Sequence, residues 1–437
     1  MGSLLTQDIF KKRRQKLMKK MGPDTVAVVA AAPHLLRNRD THYPYRQSSD
    51  FYYLTGFAEP DAVLVLAPNH PQGDSVLFCR PKDKMAEIWD GYRVGPEGAC
   101  LNYGMDAAYP IAVLDEKISL WLSGRESIFY DIGGNLVFDQ RILGWIQHLK
   151  SKVRSGVAIP HQYIALDSIL HEMRLMKSVD EIQLMQAAAD ISVQAHQHGM
   201  QACRPGMMEY ELEAEYLKTF YQLGARSPAY PSIVAGGENA CILHYVENNQ
   251  PLASGDLVLV DAGAELDHYA SDITRTFPVN GRFSRPQRAL YDLVLEAQLA
   301  AIESVRVGCY WHQPHEIAVK VLTQGLVKLK LLSGSIAKLI QKESYRSFYM
   351  HRTGHWLGMD VHDVGAYKIK EQWRELKAGM VLTVEPGLYI SRDAEVANQW
   401  KGIGIRIEDD VCVMAKGPKI LTAALVKKPD DIESLMG

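Results

Sequence analysis

Short apolar runs alternate with stretches of helical period from Asp24 to Leu175. Val26 to Ala31, Ala62 to Ala67 and Ser75 to Cys79 have strand length, and with the helical stretches between them they predict a unit of α/β, or α+β, character. The pattern changes after Met173-Arg174-Leu175-Met176-Lys177. Ser178-Val179-Asp180-Glu181 has the form of a capping box, in which a serine hydroxyl and a glutamate three residues on satisfy each other's free backbone N–H groups. It predicts a long helix to about Cys203, with Ile182, Met185, Ala189 and Val193 on one face and Arg204-Pro205-Gly206 as the stop. The domain boundary therefore falls just before Ser178, giving units 1–177 and 178–437. Beyond it the pattern reads as long helices separated by antiparallel strand pairs, Leu257 to Ala262 with His268 to Pro278, and Val381 to Tyr389 with Gly402 to Val413. Helix and strand-pair units with acidic residues on the strands thus occur twice, a loose two-fold echo without a short-period repeat.

A length of 437 residues suits two domains, and 47% hydrophobic with 23% charged residues is ordinary for a globular chain. The formal net charge of -3 offers no general electrostatic reason to expect nucleic acid as a partner. The basic cluster Lys11 to Lys20 is the local exception. With Ile9-Phe10 and Leu17-Met18 at helical spacing, it predicts an amphipathic first helix whose basic residues are solvated. Met1-Gly2-Ser3-Leu4-Leu5-Thr6 formally fits a myristoylation pattern, to which little weight is given. No run reaches the roughly 18 apolar residues of a membrane span and no apolar core of a secretory signal follows the basic stretch, so a cytoplasmic protein without a membrane partner is expected. The six cysteines are widely spaced with no CxxC and read as reduced thiols.

The chemistry lies at the strand ends. Leu257-Val258-Leu259-Val260 suits a strand buried on both faces, yet it ends in Asp261. Asp272, Thr274 and Thr276 share one face of the following alternating stretch, so a hairpin would aim both carboxylates at one point. Val381-Leu382-Thr383-Val384 likewise runs into Glu385, and Pro386 breaks the ladder there because it has no N–H to donate. In Gly402 to Asp410 the isoleucines take one face and leave Arg406, Glu408 and Asp410 on the other, with Arg406 placed to steady a neighbouring carboxylate. Any one of these acids alone would pass for a surface group or an ion-pair partner. Together, four carboxylates in an apolar core repel, since a like-charged pair at about 4 Å costs on the order of 4 kcal/mol at an effective dielectric near 20. Two divalent ions remove that cost. Oxygen donors with one imidazole suit Mn²⁺, Co²⁺ or Zn²⁺, and two ions sharing a water lower its pKa enough to give hydroxide near neutral pH.

The histidines concentrate at His244 and at His351, His355 and His362. His351 and His355 have the i, i+4 spacing of a helical metal site, but Gly354 and Gly358 make a loop or strand the better reading. Their roles divide accordingly, with His355 as ligand and His351 and His362 as donors on the substrate side.

These segments carry a pattern. Leu259-Val260-Asp261-Ala262-Gly263, Asp272-Ile273-Thr274-Arg275-Thr276-Phe277, His355-Trp356-Leu357-Gly358, Val384-Glu385-Pro386-Gly387 and Arg406-Ile407-Glu408-Asp409-Asp410 closely resemble the pita-bread metallopeptidases, and among them the Xaa-Pro aminopeptidases (aminopeptidase P). Tyr43-Pro44-Tyr45-Arg46-Gln47 and Asp50 to Phe57 resemble the amino-terminal domain of the same subfamily. The resemblance implies a creatinase-like amino-terminal domain before a pita-bread catalytic domain. It implies as metal ligands Asp261 on one ion, Asp272 and Glu408 across both, and His355 and Glu385 on the other. Glu385 would handle the proton of the bridging water, and His362 and His351 would hydrogen-bond the scissile region and the developing oxyanion. His244 would place the substrate's amino end, with Tyr389 and Arg406 supporting the ligands. The implied cofactors are two divalent ions, Mn²⁺ first, with Co²⁺ or Zn²⁺ as alternatives. The implied substrate is a peptide with proline second, opened by a metal-bridging hydroxide, and the implied assembly is a homodimer or homotetramer in which Trp89 reaches a neighbouring copy's site. One departure stands beside the ligand histidine: Met350-His351-Arg352 has arginine where the family often has glycine, which bears on the length or carboxyl end of the preferred substrate.

The nearest rival is a prolidase, restricted to Xaa-Pro dipeptides, against which the amino-terminal motif argues. Creatinase-type hydrolases lack the full ligand set that is present here. A binding module of this fold without metals would be expected to have replaced ligands, and none is replaced.

Overall fold

In a computed structural model that describes residues 5–437, the chain divides into two units, the first ending at Arg174 and the second spanning Leu175–Gly437. The apolar runs of the first unit become strands of a six-stranded mixed sheet in the order Ala107–Pro110, Ser75–Cys79, Val63–Leu66, Thr25–Ala30, Ser127–Tyr130, Gln162–Ala165. The four inner strands carry residues buried on both faces because helices cover the sheet, and Val28, Val65, Phe78, Trp121 and Ile146 belong to one core. The myristoylation pattern begins outside the described residues.

In the first helix, Gln7–Met21, the lysines of the basic cluster are exposed as expected, but Arg13 and Arg14 are buried with Phe10 and Leu17. Arg14 donates to the carbonyls of Leu54 at 2.9 Å and Gly104 at 2.8 Å, while the Arg13 guanidinium lies 4.0 Å from the centroid of the Tyr53 ring. These arginines close the carbonyl ends of other elements, a use that helical periodicity does not display.

The second unit opens with the capping box, Glu181 N–H donating to Ser178 Oγ at 3.3 Å and Ser178 N–H to Glu181 Oε2 at 2.9 Å, and the helix runs Val179–Ala202. Leu184, Met185, Ala188 and Ala189 are buried on its inner face. Behind it Ile233–Gly236, Leu257–Asp261 and Thr274–Pro278 form an antiparallel sheet, with Asp261 opposite Thr274. The expected single strand from His268 to Pro278 is interrupted. Asp267 and His268 take φ of 46° and 67° and turn a separate small hairpin, Ala264–Leu266 with Tyr269–Ala270.

The second strand pair is also broken, on both sides at one level. Val381–Val384 pairs with Asp409–Met414, whereas Gly387–Ile390 pairs with Ile403–Arg406. Pro386 interrupts one side, as its missing N–H requires. Opposite, Ile407 N–H donates to Pro386 O at 3.3 Å and Glu408 N–H leaves the pair to donate to Thr274 O at 3.1 Å. That last bond joins the two halves of the unit where their acidic residues meet.

Candidate metal centre

Each acidic side chain reaches the centre from a place where a ladder ends. Asp261 is the last residue of its strand, Asp272 precedes the next, Glu385 sits in the Pro386 break and Glu408 in the opposite break. Together with His355 they line one cavity of about 520 Å³, which Tyr230, Pro231, Ile233, Leu243, Val246 and Val361 also line. Ligand atoms of Asp272, His355 and Glu408 lie within 4.8 Å of one another. His355 Nε2 is 3.3 Å from Asp272 Oδ2 and 3.7 Å from Glu385 Oε1, while its Nδ1 is 2.9 Å from Trp356 O. With Nδ1 committed to a carbonyl, Nε2 is the nitrogen left for a metal.

Close backbone approach makes this geometry possible. A Cβ on Gly354 would lie 2.0 Å from Thr383 O, so only glycine lets the His355 segment run against the Glu385 strand. There His355 N–H donates to Thr383 Oγ1 at 3.1 Å, and His351 and His355 lie in irregular backbone rather than helix.

The electrostatics show what the donor set lacks. Burial, followed by the charges of Asp272 and Glu385, holds the Glu408 carboxyl well above the usual carboxylate range. Burial raises Asp261 against the pull of Arg406, and burial lifts Glu385 to about 7 although His355 and Arg406 oppose it. Asp272 stays low because hydrogen bonds and charge from His355, with Tyr230 and Arg406, outweigh its burial. His355 in turn is raised to about 9 by Asp272 and Glu385 despite desolvation. Protons are thus held where cations would go, and four carboxylates with one imidazole form a donor set that fits two hard or borderline divalent ions.

The remaining candidates fall into three groups. Arg406 donates to Asp261 Oδ2 at 2.6 Å, Tyr389 OH at 3.1 Å and Thr274 Oγ1 at 3.1 Å, and Thr274 donates to Glu408 Oε2 at 2.6 Å. Tyr389 OH also lies 2.8 Å from His351 Nε2, and burial followed by Arg406 pushes His351 down to about 3, keeping it neutral. His244 and His362 line the cavity, with the His362 ring centroid 4.4 Å from that of His355. Trp89 belongs to the first unit, on the helix Lys84–Asp90, and is 84% exposed.

Two acids next to Glu408 behave differently from it. Asp410 does not share its environment: it accepts from Ser271 Oγ at 2.9 Å and from the Asp272 N–H at 3.2 Å, fixing the backbone behind that ligand. Asp409 is paired with Arg275 at 2.8 Å and Lys427 at 2.6 Å. The break at Ile407 and Glu408 undoes the alternation that had put Glu408 and Asp410 on one face. Tyr230 escaped sequence reasoning altogether. Its hydroxyl spans Asp261 Oδ1 at 2.7 Å and Asp272 Oδ1 at 2.5 Å, yet it sits in Ser227-Pro228-Ala229-Tyr230-Pro231, where two prolines are the only signal.

The family model for metallopeptidase family M24 matches residues 183–415, and that for the aminopeptidase P N-terminal domain matches residues 10–130. The Xaa-Pro aminopeptidase of Escherichia coli (strain K12) is 45% identical over 435 residues, covering 99% of this chain and 98% of that protein. The Xaa-Pro aminopeptidase of Haemophilus influenzae is 45% identical over 432 residues, covering 99% and 98%. Among solved structures, aminopeptidase PepP of Pseudomonas aeruginosa superposes with a TM-score of 0.98 at 50% identity, covering 99% and 98% of the two chains. Zn-substituted E. coli aminopeptidase P in complex with product superposes at 0.97 and 45% identity, covering 100% and 99%.

Proposed function

Because this chain belongs to metallopeptidase family M24, in its aminopeptidase P branch, we propose that it is an Xaa-Pro aminopeptidase, releasing the first residue of peptides whose second residue is proline. The observation that carries the reading is the convergence of Asp261, Asp272, His355, Glu385 and Glu408 on one cavity that Pro231, Ile233, Leu243, Val246 and Val361 also line. These five residues would hold two divalent ions, which supply when bound a water acidic enough to serve as nucleophile near neutral pH. Glu385, whose carboxyl burial lifts to about 7, would be the group that holds a proton during the reaction. His351 and His362 hydrogen-bond the scissile region, and the exposed His244 meets the amino end. Arg406 and Tyr389 hold Asp261 and His351 in place through the contacts given above, and the apolar residues lining the cavity receive a proline ring. The catalytic part corresponds to residues 178–437.

Mn²⁺ is the proposed physiological metal, on the strength of a donor set without thiolate. The six free cysteines suit a reducing compartment, and we place the protein in the cytoplasm. None of the described helices is long and apolar enough to cross a membrane. The helix Lys84–Asp90 buries none of its side chains and exposes Met85, Ile88 and Trp89, which supports a homodimer or homotetramer with Trp89 reaching a neighbouring copy's cavity.

The deciding experiment offers Arg-Pro-Pro and Gly-Pro to protein stripped of metal and then given Mn²⁺. Metal-dependent release of arginine from the tripeptide, lost in Asp272→Ala and Glu385→Ala variants of unchanged circular dichroism, is the expected result. Cleavage of the dipeptide alone would make the protein a prolidase, and silence on both would return it to the binding-module class.

A further inference from the structure

Two arginines line the cavity, and only one of them is committed. Arg406 is buried and spends its guanidinium on Asp261, Tyr389 and Thr274. Arg352 lies between His351 and Thr353, is exposed, and has no ion-pair or side-chain hydrogen-bond partner among the described residues. An aromatic ring, rather than an acid, is its neighbour. Its guanidinium carbon stands 5.8 Å from the centroid of Trp373, whose ring Lys368 Nζ approaches to 4.8 Å. A ring face attracts a guanidinium without using its in-plane N–H donors, so the fork is steadied and still available to a planar anion. Its charge is felt inward as well: burial, then Arg352, pushes His315 down to about 4.

The rest of the cavity defines which anion can meet that fork. Its apolar residues offer nothing to a carboxylate, and four of the five metal donors are themselves carboxylates. A peptide with its first residue and scissile bond at those donors sends the rest of its chain toward the mouth. Resting on the Xaa-Pro aminopeptidase reading, we propose that Arg352 is a specificity residue that pairs with a carboxylate on the leaving side of the scissile bond. That carboxylate is either the free end of a short peptide or an acidic side chain in a longer one.

The test compares kcat/KM for Ala-Pro-Ala with its amide, and for Ala-Pro-Glu-Ala amide with Ala-Pro-Gln-Ala amide, using Mn²⁺-loaded wild type, Arg352→Gln and Arg352→Lys. A charge-assisted pair at an exposed mouth is expected to favour the anionic member by about twofold to fivefold in wild type, and less as salt is raised. That ratio falls to near one in Arg352→Gln and is partly kept in Arg352→Lys. Preference within the tripeptide pair alone assigns the terminal carboxylate, and preference within the tetrapeptide pair alone assigns the acidic side chain. Calorimetric binding of the product Pro-Ala against Pro-Ala amide should show the same loss of preference without turnover. A ratio near one in wild type for both pairs, or a ratio untouched by Arg352→Gln, overturns the proposal while release of alanine from the amides leaves the underlying activity standing. If wild type cleaves none of the four peptides, the activity reading fails and the Arg352 assignment fails with it.

Discussion

One hydroxyl proton is shared between two carboxylates at Tyr230. Burial, followed by the charges of Asp261 and Asp272, holds that phenol's pKa well above its ordinary value, so the group remains a donor. It can satisfy one oxygen fully or two partially, and it keeps both carboxylates oriented toward the cavity. Tyr230→Phe should therefore weaken Mn²⁺ binding by about tenfold to a hundredfold, the usual cost of removing a group that orients ligands. Isothermal calorimetry on metal-stripped protein checks this, and an unchanged affinity would remove Tyr230 from the site. The contrast with its neighbours shows what a sequence exposes at this scale. Asp261 is conspicuous because an acid at the end of Leu257-Val258-Leu259-Val260 contradicts its surroundings, and Glu385 is conspicuous for the same reason after Val381 to Val384. Tyr230 contradicts nothing in a proline-flanked loop, since tyrosine is at home on any half-buried surface. Arg13 and Arg14 mislead in the opposite way, because carbonyl partners 40 residues away leave no local trace.

Among elements, the segment that begins the second unit also braces the loop that carries His362. Lys177 Nζ lies 2.8 Å from Asp363 Oδ2, with both side chains 1% exposed, and Lys177 N–H donates to Gly379 O at 2.9 Å. A Cβ on Gly358 would lie 2.1 Å from Asp363 Oδ2, so the loop closes directly on the ion pair. Lys177→Met removes the cation from a buried ion pair and should cost about 3–5 kcal/mol in urea unfolding. Lys177→Met with Asp363→Leu removes both charges and should lose less than the sum of the two single variants. Additive losses in the double variant would show that the two residues act separately. The pair was invisible in the pattern of apolar and polar positions because its members are far apart in sequence, whereas the helix after it was legible from four residues. Ser178 and Glu181 act within one turn, and local bonds of that kind leave a local signature. Strand breaks fall between these cases: Pro386 announces one, but its counterpart at Ile407 and Glu408 follows from pairing across the sheet and reads as plain alternation.

At the scale of the whole molecule, the acidic centre concentrates its electrostatic cost in one of two units with separate cores. The carboxylates all belong to Leu175–Gly437, and the first unit, with its own core around Val65 and Trp121, contains none of them. Cations that bind the folded second unit and not its unfolded chain must stabilise it by mass action. The gain is about 2.7 kcal/mol when free metal is a hundredfold above its dissociation constant. At about 2–4 °C per kcal/mol for a domain of 150–250 residues, that is a rise of roughly 5–10 °C in the midpoint of its unfolding. Scanning calorimetry of stripped protein with and without Mn²⁺ measures it, and Glu408→Gln provides the control. Burial, with Asp272 and Glu385, already disfavours the charge on Glu408, so the metal-free variant should melt no lower than wild type while its response to Mn²⁺ collapses. The two effects have opposite signs only if the carboxylates are gathered for cations rather than for packing. A variant that melts lower without metal and still gains the full increment with it would mean that Glu408 supports the fold and leaves the ions to other groups.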